Sequence, residues 1–446
     1  MEKRDTDISN SEIMWVSLHY TDLVGRLHEL VVPYDLYARN SEFSMDGSSV
    51  DIVEINSSDL RLSPDPRTFA IIPWDRRRGR VFCSIGIDSM PFWGDSRAVA
   101  RRAGEYVSAQ NLREVMGVEV EFFIHKVAYN VTPSELYVRV ELSEKYPKGV
   151  LRVRGGYEVP SYSNLVSKVR FEIIEYLKDM EKTPPTNHHE VAPNQVEVTT
   201  LPGKAVDVAD SIMSIKYVAR YTASRYGLIA NFMPKPVYGD NGSGMHTHVS
   251  LWNNGCNMFY DANDKYGISQ MCRYFIGGLI EHGRSLSAIV SPTTNSYKRL
   301  VAGYESPIYL TWGIANRSVA IRIPKTSTHR RVRVEFRPPD PATNPYLALA
   351  AILMAGLDGI RKKIDPGEPT SENIYTMSEW KIRESGIRVL PRSLDEALDE
   401  LESDNEYLKP VFPKELIERY IEVKRKEVKI VNMYPTPTEF MTYIMY

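Results

Sequence analysis

Three short segments place ionisable residues two apart among apolar neighbours. Glu119 and Glu121 flank Val120 and run into Phe122, Phe123 and Ile124; His246 and His248 flank Thr247 and precede Val249. Arg333, Glu335 and Arg337 alternate with Val334 and Phe336. The apolar neighbours read as buried β-strand, and in a strand residues i and i+2 share a face. Buried carboxylates, imidazoles and guanidiniums each cost on the order of several kcal/mol unless something pairs with them. A face that collects all three predicts a polar cavity for metal ions and a polyanionic ligand.

The stretch from His188 to Glu197 adds Glu190 and Glu197, and Pro193 forbids the helical spacing of a zinc-protease His-Glu motif. Carboxylates with an occasional imidazole suit magnesium or manganese better than zinc. Glu119 and Glu121 also admit a reading as a solvated edge strand, against which the flanking Val118 and Phe122 argue. Asn241-Gly242-Ser243-Gly244-Met245-His246 is either a hairpin turn or a loop that lets backbone approach a ligand closely. It is no Walker A loop, since no Gly-Lys-Ser/Thr follows. Arginines gather late in the chain: Arg299, Arg317, Arg322, Arg330, Arg331, Arg333 and Arg337. Arginine is preferred for bidentate carboxylate and phosphate contacts. Acids for a metal and arginines for phosphate point to phosphoryl transfer from a nucleotide. A nucleic-acid groove is disfavoured, because the arginines alternate with carboxylates and lack an aromatic stacking ladder.

The elements that must position these residues change character near residue 95. Before it, Trp15–Tyr20 and Arg26–Val32 suit a hairpin with Gly25 at the turn, and Thr68–Trp74 pairs with Arg80–Ile85. Met45–Ser49 is a turn-rich loop between them. After it, helices are predicted over Ser96–Gln110, Asn164–Lys182, Val206–Tyr226, Ile268–Ile289 and Lys414–Val428, with a loop over Ser291–Gly303. Ser393-Leu394-Asp395-Glu396 reads as a capping box. Asn316 to Pro324 reads as an apolar strand carrying Arg317 and Arg322. Asn344-Pro345 opens an apolar run near Tyr346–Leu357 that is too short for a bilayer and reads as a buried core helix. Strands and long helices without βαβ regularity predict an α+β fold, with a small domain over 1–95 and a larger one over 96–446.

The 446 residues carry 55 basic and 57 acidic side chains, a net charge of -2, so nothing favours bulk attraction to nucleic acid or membrane. Cys83, Cys256 and Cys272 are neither paired in number nor closely spaced, which argues against a disulfide framework and a structural zinc site. The start, Met1-Glu2-Lys3-Arg4-Asp5, lacks the apolar core of a signal peptide. A cytoplasmic location is expected.

At these same residues the chain strongly resembles glutamine synthetase of the prokaryotic type I form. The resemblance runs through Asp46-Gly47-Ser48-Ser49, Glu119–Phe123, His189-Glu190, Lys235-Pro236 through His248, Asn295–Leu300, Tyr304–Pro307, Asn316-Arg317-Ser318 and Glu335 through Tyr346. It implies an N-terminal β-grasp-like domain and a larger catalytic domain whose antiparallel strands form a funnel. It also implies a dodecamer of two hexameric rings, with active sites between neighbours and the Asp46 loop completing the next subunit's funnel. Two or more Mg2+ or Mn2+ ions per site are implied, with ATP as co-substrate and L-glutamate and ammonium as substrates. By this resemblance Glu121, Glu190 and Glu197 hold one metal, and Glu119, His246 and Glu335 the other. Asn241, Gly242, Arg299 and Arg337 bind glutamate; Arg317, Arg322 and Arg333 serve ATP phosphates, with His248 and Ser250 near the nucleotide. Asp46, Ser49, Tyr157 and Glu190 bind ammonium, Asp46 takes its proton, and Glu305 shields the intermediate from water and collects a later proton.

The chain departs from the family pattern in Glu158–Asn164 after Tyr157, at Pro185, and over Val198–Pro202, where an aromatic residue is expected. Glu54 falls near a position used for glutamine feedback, and Tyr375 matches an adenylylated tyrosine without the acidic residue that follows it, so adenylylation is not expected. An amine ligase of the same family, using an organic amine, and a non-catalytic nitrogen sensor are the alternatives. The retained Asp46, Ser49, Tyr157 and Glu190 favour ammonia, and the complete set of metal and glutamate residues favours catalysis.

Overall fold

Among the described residues, two large hydrophobic clusters divide the chain, one built by a small N-terminal sheet and one by a larger sheet and its helices, and a small third gathers Val319, Ile374 and Ile382. The computed structural model describes residues 13–50, 53, 58–87, 90–132, 135–142, 145–146, 149–150, 154–161, 164–436, 438–439 and 442. Glu54, the Met1–Asp5 start, and Tyr162 and Ser163 lie outside the described residues.

In the N-terminal sheet, β1 (Trp15–Thr21) pairs antiparallel with β2 (Leu27–Pro33). The strand order continues through β6 (Asp75–Ile87) and β4 (Asp59–Pro64) to β3 (Phe43–Asp46), and β5 (Ala70–Ile72) also pairs with β6. The expected hairpin is present. The expected strand Thr68–Trp74 shrinks to β5, because Asp65 accepts from the Arg67 amide and Thr68 donates to the Asp65 carbonyl, winding Pro66–Thr68 into a 3-10 turn.

The larger sheet runs β8 (Asn187–His189), β9 (Gln195–Thr199), β7 (Arg113–Thr132), β10 (Met245–Asn253), β12 (Val334–Phe336) and β11 (Ile321–Ile323), with Trp312–Ile314 paired parallel at its edge. Around it lie α1 (Ser96–Ser108), α2 (Leu165–Asp179), α3 (Ala205–Ser224), α4 (Gln270–Glu281), α5 (Gly283–Val290), α6 (Pro345–Lys362), α7 (Leu394–Ser403) and α8 (Lys414–Met433). The α+β expectation holds. Helix α6 is apolar on all sides and buried, as such a helix must be. Burying each of Leu347, Leu349, Ile352 and Leu353 contributes roughly 1.5–3 kcal/mol. No helix among the described residues is long and apolar enough to cross a membrane.

Helix α6 is also where the two sheets are joined. Asn344 caps it, accepting from Tyr346 and Leu347, while its amide donates to the Asp22 and Leu23 carbonyls. Gly25 sits against this cap at φ +89, and a Cβ there would stand 2.8 Å from Asn344 Cα. Conformation and space both demand glycine. Nearby, Arg97 forks onto Asp210 at 3.0 and 2.9 Å and reaches Asp65 at 2.9 Å, and Tyr346 donates to Asp210 at 2.6 Å.

Four further expectations are corrected. The helix expected over Ile268–Ile289 is two helices broken at His282, whose ring bonds Asp404 at 2.9 Å and Asp358 at 2.8 Å from adjoining elements. Only Ile321–Ile323 of the Asn316–Pro324 segment is strand, because Asn316 accepts from the amide and hydroxyl of Ser318 and turns the chain. The 291–303 loop contains one helical turn, Ser296–Arg299. At Ser393 the cap forms, but Glu396 accepts from the amide of Arg392 and leaves that of Ser393.

Candidate active site

The register of the larger sheet lines up the two-apart charges. His188 on β8 faces Glu197 on β9, which faces Glu121 on β7. Glu119 on β7 faces His246 on β10; His248 faces Glu335 on β12, which faces Arg322 on β11. Directly opposed residues put their side chains on one face about 4.5–5.5 Å apart. Acids, imidazoles and a guanidinium thus share one face across six strands, in three registers each stepped by two residues.

Two groups along this face offer convergent ligand atoms: Glu119, His246 and Glu335, and His188, Glu190 and Glu197, each set lying within 4.8 Å. In the first, Glu119 stands 3.1 Å from His246 Nδ1 and 2.8 Å from His248 Nε2. Arg333 Nε donates to His248 Nδ1 at 3.1 Å, so the proton of His248 is on Nε2 and points to Glu119. Glu335 accepts from Arg337 at 2.8 Å and from Arg322. In the second, His188 lies 3.2 Å from Glu197 and 3.7 Å from Glu190. Glu121 stands between the groups, accepting from the Gly244 amide at 2.8 Å and from Gln195 at 3.3 Å, with His246 at 3.8 Å.

The electrostatics of the two groups differ. Burial raises the carboxyl of Glu121, and the charges of Glu190 and Glu197 raise it further. Burial and then Glu197 push Glu190 up to about 7, and burial raises Glu197 against the bond from His188. That bond holds the His188 imidazole up at about 9. These carboxylates crowd one another without enough positive charge, the condition a bound cation relieves. In the other group, burial raises Glu335, but the Arg337 guanidinium outweighs it and holds the carboxyl at about 2. Burial, with Arg337, lowers His246 to about 4, leaving the neutral imidazole that a metal ligand must be. The donor sets therefore fit divalent cations.

A cleft of about 1080 Å³ opens over this face. Glu119, Glu121, Glu190, Glu197, His246 and Glu335 line it, together with Tyr157, Asn241, Glu305, Arg317 and Arg322. An inner extension reaches Gly242, Arg299 and Arg337. The Asn241 loop is not a hairpin turn, since the strand before it, Ile229–Asn231, pairs with β7. Its glycines make room for functional side chains: a Cβ on Gly242 would meet Pro234 O at 2.5 Å and Arg299 Cγ at 2.9 Å, and one on Gly244 would meet Arg299 Nη2 at 2.7 Å. Gly303, Tyr304 and Glu305 all have positive φ, +90, +53 and +57, which turns Glu305 toward the cleft.

Some expected residues stand apart. His248 bonds Glu119 and Arg333 bonds His248, neither lining the cleft, and Ser250 accepts the Trp252 indole at 2.9 Å. Asp46 and Ser49 are absent from the cleft of their own chain. Asp46 accepts from the Ser49 hydroxyl at 2.6 Å and the Ser48 hydroxyl at 2.7 Å, and these bonds draw its carboxyl down to about 2. Tyr375 donates its hydroxyl to the Ser306 carbonyl at 2.8 Å. Two residues around the site escaped the sequence reading. His188 was visible as an alternating neighbour of Glu190, and Gln195, which braces Glu121, carried no signal.

Comparison with known proteins bears on this geometry. Residues 93–443 match the model of the glutamine synthetase catalytic domain, and residues 12–86 that of the glutamine synthetase beta-Grasp domain. A glutamine synthetase of Sulfolobus acidocaldarius is 45% identical, over 98% of this chain and 97% of that protein. One from Escherichia coli K12 is 39% identical over 98% of each. Among solved structures, a Plasmodium falciparum glutamine synthetase superposes with TM-score 0.87 at 28% identity, over 98% of this chain and 97% of the other. A GmaS/ADP complex does so with TM-score 0.84 at 30% identity, over the same shares.

Proposed function

The chain belongs to the glutamine synthetase family, and on that premise we propose how its residues divide the work of ATP-dependent glutamine synthesis. It is a ligase of that family, using ATP and divalent metal. We take it to be of the prokaryotic type I form, with its small domain over 1–95 and its catalytic domain over 96–446. The charged face that these stepped registers build across the larger sheet carries the reading.

In this reading L-glutamate sits in the inner extension, its carboxylates met by Arg299 and Arg337 and its backbone end by Asn241 and Gly242. ATP lies in the outer cleft, with its phosphates toward Arg317, Arg322 and Arg333 and its nucleoside toward His248 and Ser250. An oxygen of the γ-carboxylate attacks the terminal phosphorus, ADP leaves, and γ-glutamyl phosphate forms. Arg317 and Arg322 face the charge that develops there, as preorganised donors in a shielded site. Mg2+ or Mn2+ ions, one on Glu119, His246 and Glu335 and another on Glu121, Glu190 and Glu197, would neutralise phosphate oxygens and hold the ligands. Ammonium is received by Tyr157, Glu190, Asp46 and Ser49. Asp46 takes its proton, and the free nitrogen attacks the γ-carbonyl carbon as phosphate leaves. Glu305 covers the intermediate, excludes water, and takes the second nitrogen proton as the adduct collapses to the amide.

The absence of Asp46 and Ser49 from the cleft of their own chain supports a site shared between subunits, as in a dodecamer of two hexameric rings. Purified protein given ATP, magnesium, glutamate and ammonium is expected to release one phosphate per glutamine. Release only with an organic amine in place of ammonium would refute ammonia as the substrate.

A further inference from the structure

Tyr304 precedes Glu305 and has no place in the chemistry above, yet its ring is the meeting point of the loops around the cleft mouth. Arg154 Cζ lies 4.4 Å from the ring centroid and Lys235 Nζ lies 4.1 Å from it. Arg154 opens the loop that carries Tyr157, and that loop is anchored by Gly156 and Glu158 amides on the Val191 and His189 carbonyls. Lys235 donates to the Asp240 carbonyl, directly before Asn241 and Gly242. The backbone is left-handed at Tyr304 and Glu305, which non-glycine residues adopt rarely and keep only where surrounding contacts hold them. At the base of the turn, Ser306 donates to the Arg299 carbonyl at 2.8 Å.

We propose that Tyr304 is a positioning residue, a cation–π latch that holds Glu305 over the cleft and couples closure to the Tyr157 and Asn241 loops. The inference rests on the ligase reading. A cation over an aromatic face is held by the ring quadrupole, and two such contacts together bias the closed turn roughly 5- to 30-fold over an open one. Opening admits water in place of ammonia. Water then attacks γ-glutamyl phosphate, the acyl–phosphate linkage breaks, glutamate and phosphate are released, and the net reaction is hydrolysis of ATP to ADP and phosphate.

The test follows phosphate and glutamine together, with and without ammonium. Tyr304→Leu is expected to raise glutamate-dependent ATP hydrolysis without ammonium by about 5- to 30-fold and to release more than one phosphate per glutamine. Tyr304→Phe keeps the ring face and should stay coupled like the unmodified enzyme. Arg154→Met and Lys235→Met, which leave the ring in place, should each leak about 2- to 5-fold more. Unchanged coupling in Tyr304→Leu, or equal leakage in Tyr304→Phe, overturns the proposal. If Tyr304→Leu does not assemble, coupling unchanged in both Met variants overturns it instead. Failure of the ligase reading looks different: the unmodified protein would then make no glutamine at all.

Discussion

Replacing Glu335 with glutamine removes one charge and turns one carboxylate oxygen into an NH2 donor, in a residue only 1% exposed. The two oxygens accept from two guanidiniums, Arg337 and Arg322. An amide can serve only one of them, and the other meets donor against donor. Arg337 is 2% exposed and cannot turn to water, whereas Arg322 is partly exposed at the cleft and can. Removing one partner of a buried pair costs about 3–5 kcal/mol, and the freedom of Arg322 puts this variant near about 3 kcal/mol. The metal consequence is separate. A carboxylate has about four lone-pair sites, of which the arginines take two, leaving capacity for an ion; the glutamine oxygen facing Arg337 leaves a poor ligand. Changes to groups behind metal ligands already cost about 10- to 100-fold in metal affinity or activity, so loss of the ligand itself should reach about 100-fold or more. Titration of metal-free protein with Mn2+, read by the free-ion electron resonance signal, should show one class of site weakened that far. Turnover should fall with it, and the urea midpoint should drop. Normal Mn2+ affinity with normal turnover would remove Glu335 from the metal group; normal affinity with lost turnover would confine it to steering the arginines.

Three other outcomes follow from the geometry. Gly242→Ala, whose Cβ would press on Arg299 and the Pro234 carbonyl, should raise the KM for glutamate more than that for ATP, and equal effects on both would count against Arg299 as a glutamate residue. A mixture of Asp46→Ala and Glu335→Gln chains, dissociated and reassembled, should regain activity that neither has alone, because some sites would combine an intact charged face with an intact neighbouring loop; no recovery in assembled mixtures would argue for sites within one chain. Burial alone would lower His282, but its bonds to Asp404 and Asp358 win and hold its imidazole above its ordinary value. A raised folded value means stability that is full below the unfolded value of about 6.5 and lost as pH rises through the folded one. His282→Gln should flatten the fall of the urea midpoint across that window, and an unaltered pH profile would show that the ring is not charged in the fold.

Much of the fold was legible because its signals are local. Asn344-Pro345 announces α6 through a side-chain cap and a missing amide, and Gly25 announces the turn between β1 and β2. The misread elements are those where a distant partner decides. His282 lies in an unbroken helical pattern, yet two carboxylates on other elements bend the chain there. Asp65 and Thr68 wind a local turn inside an apolar run that otherwise reads as strand.

The site divides along the same line. Spacing of two says that Glu119 shares a face with Glu121, and Glu335 with Arg337, whatever the partners are. It cannot say that Glu121 faces Glu197 and that Glu197 faces His188, because a register slip of one residue would send each whole set to the other face. His188 therefore joins the acidic group only when β8 is laid against β9. The buried apolar residues that interleave the charges are what forbid the slip: moving Val120, Val196 or Val334 outward would expose apolar surface and drive Glu121, Glu197 or Glu335 into the hydrophobic cluster. At on the order of several kcal/mol for each buried unpaired charge, the wrong register is excluded by the residues that make the right one useful. Tyr304 marks the opposite limit. Nothing local in Gly303-Tyr304-Glu305 foretells consecutive left-handed residues, and the cations over the ring come from residues distant in the chain. If those cations hold the turn closed, Glu305 is placed by contacts that form only when the cleft is complete, and water exclusion becomes a property of three loops together.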